Sequence, residues 1–172
     1  MHGMVLFELT VPWISRIPFR GEAMRVLICF KTKHGTTEKY MRWLAEGIGA
    51  DLKSFDEIAR SYDFSGYDTV IVSSGTYASF MPLTKFLKRH WKNLSNKRVI
   101  AIAVGAAPAD DPWSLKSYNR IPEHIREHIQ YVKIMGEPAG TAKSEQPIAQ
   151  ESPIKLENLD AVFEIVREAN SN

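Results

Sequence analysis

Short runs of consecutive apolar residues alternate along the chain with longer segments in which apolar residues recur every three or four positions. The continuous runs predict strands covered on both faces at residues 25–30, 68–74, 98–104 and 131–135, and the segment 51–54 is a candidate for a short further strand. Strands that alternate with helices are typical of an α/β fold. The pattern therefore predicts a three-layer, doubly wound parallel sheet of five strands, with ligands at the carboxyl ends of the strands.

Stripes of apolar residues predict the helices that cover this sheet, and they span residues 40–48, 83–94, 121–129 and 156–166. Gly49 follows the first stripe and is a typical helix terminator, whereas Pro122 is suited to the first turn of a helix. Residues 137–153 contain proline, glycine, serine and glutamine without periodicity. We therefore expect a long loop before the last helix, and loops of this length are usually functional or mobile.

The beginning of the chain does not fit this alternation. Residues 1–23 are apolar, but charged residues and prolines interrupt them too often for a membrane span, and they lack the features of a signal peptide. Two interpretations stay open, because the first strand begins directly after Met24: an upstream extension of a protein that starts at Met24, or an arm that packs on the domain. In either case we expect one domain over residues 24–172.

Composition and charge exclude a few classes of function. Apolar residues make up 44% and charged residues 24% of the chain, as in ordinary globular proteins. The net charge of +2 is far from the strongly basic surface of a dedicated nucleic-acid binder. Cys29 is the one cysteine, so no intramolecular disulfide can form. Without an export signal or a membrane span, we expect a cytoplasmic protein.

The segment between the first strand and the first helix has the composition of a phosphate-binding loop. The N–H groups in the first turn of a helix are unpaired and carry partial positive charge, which attracts phosphate. Threonine hydroxyls can donate to phosphate oxygens, and Gly35 lets the backbone approach closely. The alternative is a helix that is capped by Thr36 or Thr37 and holds no ligand. The candidate phosphate-binding residues are Thr32, Lys33, His34, Gly35, Thr36 and Thr37.

This segment resembles the [Ser/Thr]-x-Thr-Gly-x-Thr loop that holds the phosphate of FMN in the flavodoxin family. Thr32, Gly35 and Thr37 match that motif, whereas His34 replaces a threonine. The segment matches neither the P-loop of nucleotide triphosphatases nor the G-x-G-x-x-G loop of dinucleotide-binding proteins. The resemblance covers residues 24–136 and, more loosely, the last helix. It implies the strand order 2-1-3-4-5 and a non-covalently bound FMN.

The resemblance also implies two loops that hold the flavin ring. Tyr77 matches an aromatic residue that lies against the isoalloxazine, and the alternative is an aromatic that only covers the sheet edge. Ala78 stands where many members have a glycine, and an alanine is expected to resist a positive φ. Gly105 matches a backbone element at the pyrimidine end, and Trp113 or Tyr118 is a candidate second stacking residue. The candidate ring-binding residues are Gly75, Thr76, Tyr77, Ala78, Gly105, Ala106 and Trp113.

Three classes of protein fit these features. The first is an FMN electron carrier, and the second is an FMN-dependent oxidoreductase that acts on a quinone or a protoporphyrinogen. The chain is similar to menaquinone-dependent protoporphyrinogen oxidases in its threonine-rich loop and in residues 86–90, but it lacks their long apolar insertion after the fifth strand. The third class is a flavin-free interaction module, which the threonine-rich loop and Tyr77 disfavour.

Basic residues cluster in the second predicted helix, where no acidic residue stands between positions 83 and 98. One interpretation is a solvated helix face, and the other is a surface that docks an acidic redox partner or an anionic membrane surface. The net charge of +2 also contrasts with the acidic surfaces of typical flavodoxin shuttles, and this disfavours a generic shuttle. The cluster consists of Lys85, Lys88, Arg89 and Lys92.

Overall fold

Five parallel strands form one sheet in the order β2-β1-β3-β4-β5 in a computed structural model that describes residues 24–137 and 154–169. The strands are β1 Val26–Lys31, β2 Asp51–Ser54, β3 Thr69–Gly75, β4 Arg98–Gly105 and β5 Ile129–Met135. The predicted fold class and strand order are therefore confirmed. The expected extension at residues 1–23 lies outside the described residues, as does nearly all of the expected loop at 137–153, and both stay predictions.

The helices cover both faces of this sheet. They are α1 Thr36–Ile48, α2 Pro82–Leu94, α3 Pro112–Asn119, α4 Glu123–Arg126 and α5 Asp160–Ala169. α1 ends at Gly49, whose φ of 67° is in the left-handed region, as expected for a glycine terminator. None of the described helices is both long and apolar enough to cross a membrane.

Two layers of apolar side chains lie on opposite faces of the sheet. Successive residues of a strand point to opposite faces, so Cys29 packs in the layer with α2 while Ile28 packs in the layer with α1 and α5. The three central strands are buried almost throughout because both of their faces are covered. Burial raises the pKa of the Cys29 thiol to about 12, so this cysteine stays protonated and packs as an apolar side chain.

The structure corrects two expectations between β4 and β5. A helix over residues 121–129 was expected, but α4 is a single turn at Glu123–Arg126, and Ile129 is the first residue of β5. Pro122 precedes that turn as its N-cap residue. α3 was not predicted at all. Its fully buried residues are serines, so it has no apolar stripe that the sequence could have revealed.

Candidate functional site

The carboxyl ends of the central strands open into a cleft of about 640 Å³, a size typical of sites for small molecules. In the sheet, β2 lies next to one edge of β1 and β3 lies next to its other edge, so the strand order reverses at β1. Ligands of doubly wound folds bind at such a reversal of strand order. All of the predicted site residues except Gly35 line this cleft, and their role in binding a cofactor stays a prediction.

The predicted phosphate loop leaves the amino end of α1 without a side-chain cap among the described residues. Gly35 is the N-cap residue, with a φ of 90°, so neither Thr36 nor Thr37 caps the helix as the alternative required. The Gly35 N–H donates to Thr32 Oγ1 at 2.9 Å, which folds the loop back toward the end of β1. Thr36 and the buried Thr37 line the cleft in the first turn of α1. The arrangement presents helix N–H groups and hydroxyls to one concave site.

The Lys33 and His34 side chains are exposed and also line the cleft. Gly35 lies between these two residues and Thr36, but it is not among the lining residues. Its contribution is therefore conformational, because a φ of 90° is rarely adopted by residues with a Cβ.

The loop after β3 closes in a tight turn between Tyr77 and Phe80. The two residues exchange backbone hydrogen bonds of 2.8 and 2.9 Å. Ala78 has a φ of 51°, and no other non-glycine residue among those described has a positive φ. Alanine is expected to resist this conformation, and Ala78 nevertheless adopts it because the turn imposes a positive φ on its first central residue. The Ser117 hydroxyl donates to the Ala78 carbonyl at 3.1 Å and holds the turn against α3.

The Tyr77 side chain links this turn to the phosphate loop. Its hydroxyl lies near the backbone N–H of Lys33. The Lys33 amine lies 5.8 Å from the centre of the Tyr77 ring. Burial raises the pKa of the Tyr77 hydroxyl, while the nearby Lys33 N–H acts in the opposite direction. A Cβ at Gly75 would lie 2.7 Å from the Tyr77 hydroxyl, so glycine at that position makes room for the tyrosine.

The end of β4 forms the opposite wall of the cleft. A Cβ at Gly105 would collide with Thr76 Oγ1 and would lie 3.2 Å from Lys133 Nζ. The Gly105 carbonyl accepts hydrogen bonds from Lys133 Nζ and from the Gly136 N–H, each at 3.0 Å. Glycine is therefore required at this position, because the Thr76 hydroxyl occupies the space that a Cβ would need.

Of the two candidates for a second stacking residue, only Trp113 lines the cleft, next to Ala106. Its side chain is 55% exposed, and the Lys116 amine lies 5.3 Å from its ring centre. Tyr118 instead packs against Tyr131, with ring centres 4.7 Å apart. Tyr118 is thus part of the core on the α2 side and not of the cleft.

Sequence reasoning missed several lining residues. Gly136 and Glu137 directly follow β5, and the rule that ligands bind at the carboxyl ends of strands could have identified them. Ser114 belongs to the unpredicted helix α3, and no sequence signal marked it. The other missed lining residues are Val104 and Ala107.

Lysines and an arginine form an exposed face on α2, which begins two residues after the Tyr77–Phe80 turn. We call this surface the basic face of α2, and it consists of Lys85, Lys88, Arg89 and Lys92. None of the four forms an ion pair with another residue in the described part of the chain. Their charges are therefore open to solvent.

The strand order and a cleft at the carboxyl ends of β1 and β3 define a flavodoxin-like fold. Residues 27–141 match a family model described as a flavodoxin domain. The chain therefore belongs to the flavodoxin-domain family, and this membership implies a flavin cofactor.

Solved structures agree with this fold. A flavodoxin from the domain Archaea has a TM-score of 0.57 and 15% identity over 87% of this chain and 100% of its own. A suggested flavoprotein from Bacteroides uniformis has a TM-score of 0.50 and 11% identity over 71% of this chain and 97% of its own. A comparison with curated proteins gives no match. Likeness at these identities shows the fold alone.

Proposed function

We propose that the protein binds FMN in this cleft and uses it to transfer electrons. The observation that carries the proposal is the uncapped amino end of α1, which faces the cleft together with threonine hydroxyls. Such an end favours a phosphate through its free N–H groups and its dipole. Riboflavin without phosphate would leave these groups without an anionic partner.

The residues of the cleft fit a ligand that has a phosphate at one end and a planar ring at the other. Thr32, Thr36 and Thr37 would hold the phosphate, and Tyr77 and Trp113 would contact the ring. The loops at Thr76–Ala78 and Gly105–Ala106 would supply backbone groups to the ring edge. Bound FMN supplies the capacity to accept and release electrons, while the protein provides binding, orientation and electrostatics.

The basic face of α2 supports an acidic partner for the electron transfer. It lies on the helix that begins two residues after the Tyr77–Phe80 turn, and unpaired like charges steer the association of an oppositely charged molecule. A net charge of +2 distinguishes the chain from a carrier that docks on basic partners. We assign this activity to the cytoplasm because the cysteine is a buried free thiol.

A second candidate is an oxidoreductase that reduces a quinone at the same site. Trp113, which lines the cleft, is 55% exposed, and Phe80, which ends the turn after β3, is 48% exposed. An exposed aromatic side chain at a cleft, with a second one on the adjoining turn, favours an apolar acceptor. Rapid oxidation of the reduced protein by a soluble quinone would favour this candidate over a carrier for protein partners.

Titration with FMN and with riboflavin tests the proposal. We expect FMN to bind the protein at least tenfold more tightly than riboflavin, because each hydrogen bond to a charged group contributes roughly 1.5–3 kcal/mol. Thr37→Val should weaken FMN about tenfold or more and leave riboflavin unchanged. Thr84→Val is the matched control, since the Thr84 hydroxyl is buried without a partner in the described part of the chain and outside the cleft. Equal affinities for the two flavins would contradict the proposal.

A further inference from the structure

We propose that Lys133 makes the cleft favour the negatively charged, reduced form of its bound flavin by placing an ammonium group directly behind Gly105. This inference rests on the proposed function. It assigns an electrostatic role to a residue that is not itself among the lining residues of the cleft.

The geometry brings the Lys133 amine to the back of the cleft wall. Lys133 lies near the carboxyl end of β5, on the same face of the sheet as Tyr131. Its Nζ donates to the Gly105 carbonyl at 3.0 Å and lies 3.2 Å from the position of a Cβ at Gly105. The same Cβ would collide with Thr76 Oγ1, which lines the cleft. Both atoms surround the same Cβ position of Gly105, so the ammonium group lies close to a residue on the cleft surface.

The surroundings of Lys133 make its charge effective. Burial lowers the pKa of the Lys133 amine to about 8, so the group is mostly protonated at pH 7. A charge that is partly removed from water acts on nearby groups with less screening than one on the surface. Asp111 is the acidic residue that opposes it, because the Asp111 charge raises the pKa of Lys133. The ammonium group beside Gly105 and the carboxylate at the start of α3 therefore add to the field of the charged residues Lys33 and Glu137, which line the cleft.

Reduction changes the charge of a flavin in a way that this cation would favour. A flavin that accepts two electrons from a donor such as dithionite and one proton from solvent gains one negative charge. A nearby ammonium group stabilises this product and leaves the neutral oxidised ring almost unaffected. The ratio of affinities for reduced and oxidised FMN should therefore depend on Lys133.

The experiment measures the two-electron midpoint potential of the FMN-loaded protein, together with the dissociation constant of oxidised FMN. Lys133→Met should lower the ratio of affinities for reduced over oxidised FMN roughly tenfold, as expected for a unit charge about 10 Å away at an effective dielectric constant near 20. That change corresponds to a potential about 30 mV more negative. Lys133→Arg keeps the charge and should keep the potential.

Lys97 offers a matched control at the opposite end of the sheet. Its Nζ also donates to a backbone carbonyl, that of Tyr67, at 2.8 Å, and it is also partly buried. Lys97→Met should therefore leave the potential unchanged. If Lys133 only stabilised the fold, Lys133→Met would lower the melting temperature as Lys97→Met does, and it would leave the potential unchanged.

A second variant tests the sign of the effect without touching the hydrogen bond to Gly105. Asp111→Asn removes the opposing charge, and asparagine caps helices about as well as aspartate. Measured at pH 6, so that Lys133 stays protonated although its pKa loses the raising effect of Asp111, the variant should shift the ratio in favour of reduced FMN, opposite to Lys133→Met. A shift in the other direction, or no shift in either variant, would overturn the inference. If the wild-type protein binds no FMN, the proposed function fails, whereas FMN binding with unchanged potentials refutes the role of Lys133 alone.

Discussion

Replacing Ala78 with glycine should stabilise the protein, although glycine usually destabilises. Ala78 has a φ of 51°, and the left-handed region costs a residue with a Cβ roughly 1–2 kcal/mol. Glycine removes that cost, but it also increases the entropy of the unfolded chain, which opposes the gain by roughly 0.4–1 kcal/mol. The net expectation is a gain of up to about 1.6 kcal/mol in the free energy of unfolding, with a central value near 0.8 kcal/mol.

Urea unfolding of the wild-type protein and two variants measures this effect. Ala59→Gly is the control, because Ala59 is exposed and its φ is not positive. The control should lose about 0.4–1 kcal/mol, so the two variants should differ in sign. The melting temperature should rise by about 2 °C for Ala78→Gly. A loss in Ala78→Gly equal to that in the control would refute the reasoning, since it would mean that the turn carries no strain.

Three further predictions concern the core, the cleft wall and the basic face of α2. His90 is 1% exposed, neither ring nitrogen has a hydrogen-bond partner in the described part of the chain, and burial together with Arg89 and Arg60 lowers its pKa. His90→Leu should therefore gain about 1–3 kcal/mol in urea unfolding. Wild-type stability should fall as the pH decreases below the ordinary histidine value of 6.5, where the unfolded state binds more protons, and the variant should lose this part of the pH dependence. Gly105→Ala forces Thr76 away from its position and should weaken FMN binding about tenfold, whereas Gly66→Ala, which meets its nearest atoms at 3.4 Å, should not. At low ionic strength the basic face of α2 should make anionic ferricyanide oxidise the reduced protein faster than cationic hexaammineruthenium does. Glutamate substitutions at that face should abolish this preference in stopped-flow traces.

The sequence predicts the sheet well because its central strands are buried on both faces. Residues 98–104 were expected as a strand, and β4 is Arg98–Gly105. The apolar runs of β1 and β3 are equally continuous, since helices cover both sides. The candidate phosphate loop stands out in the sequence because phosphate binding needs particular residue types at a particular place between a strand and a helix, and its role stays a prediction.

The errors have physical reasons of two kinds. Ile129 continues a spacing of four residues from Ile121, so it matched a helix although it begins a strand. α3 buries Ser114 and Ser117, and close packing of small polar residues leaves no apolar periodicity. The first kind is a misleading or missing apolar periodicity, as in these two segments. The second kind is a hydrogen-bonded contact that overrides a local preference: hydrogen bonds between the neighbours of Ala78 in the turn hold it at a positive φ, although alanine prefers a negative φ. Lys133 could not be found from the sequence, since only the structure shows its amine beside Gly105 at the cleft.

The most direct test of the account is a map of backbone amide signals by two-dimensional NMR during titration with FMN. We expect saturation at one FMN per chain, with the largest shifts at the amides of residues 32–37, 75–78 and 105–106. Riboflavin should shift the last two groups but not the amides of residues 32–37, because it lacks the phosphate. No shifts on addition of FMN, or shifts confined to residues outside the cleft, would contradict the central claim that this cleft binds FMN through the amino end of α1.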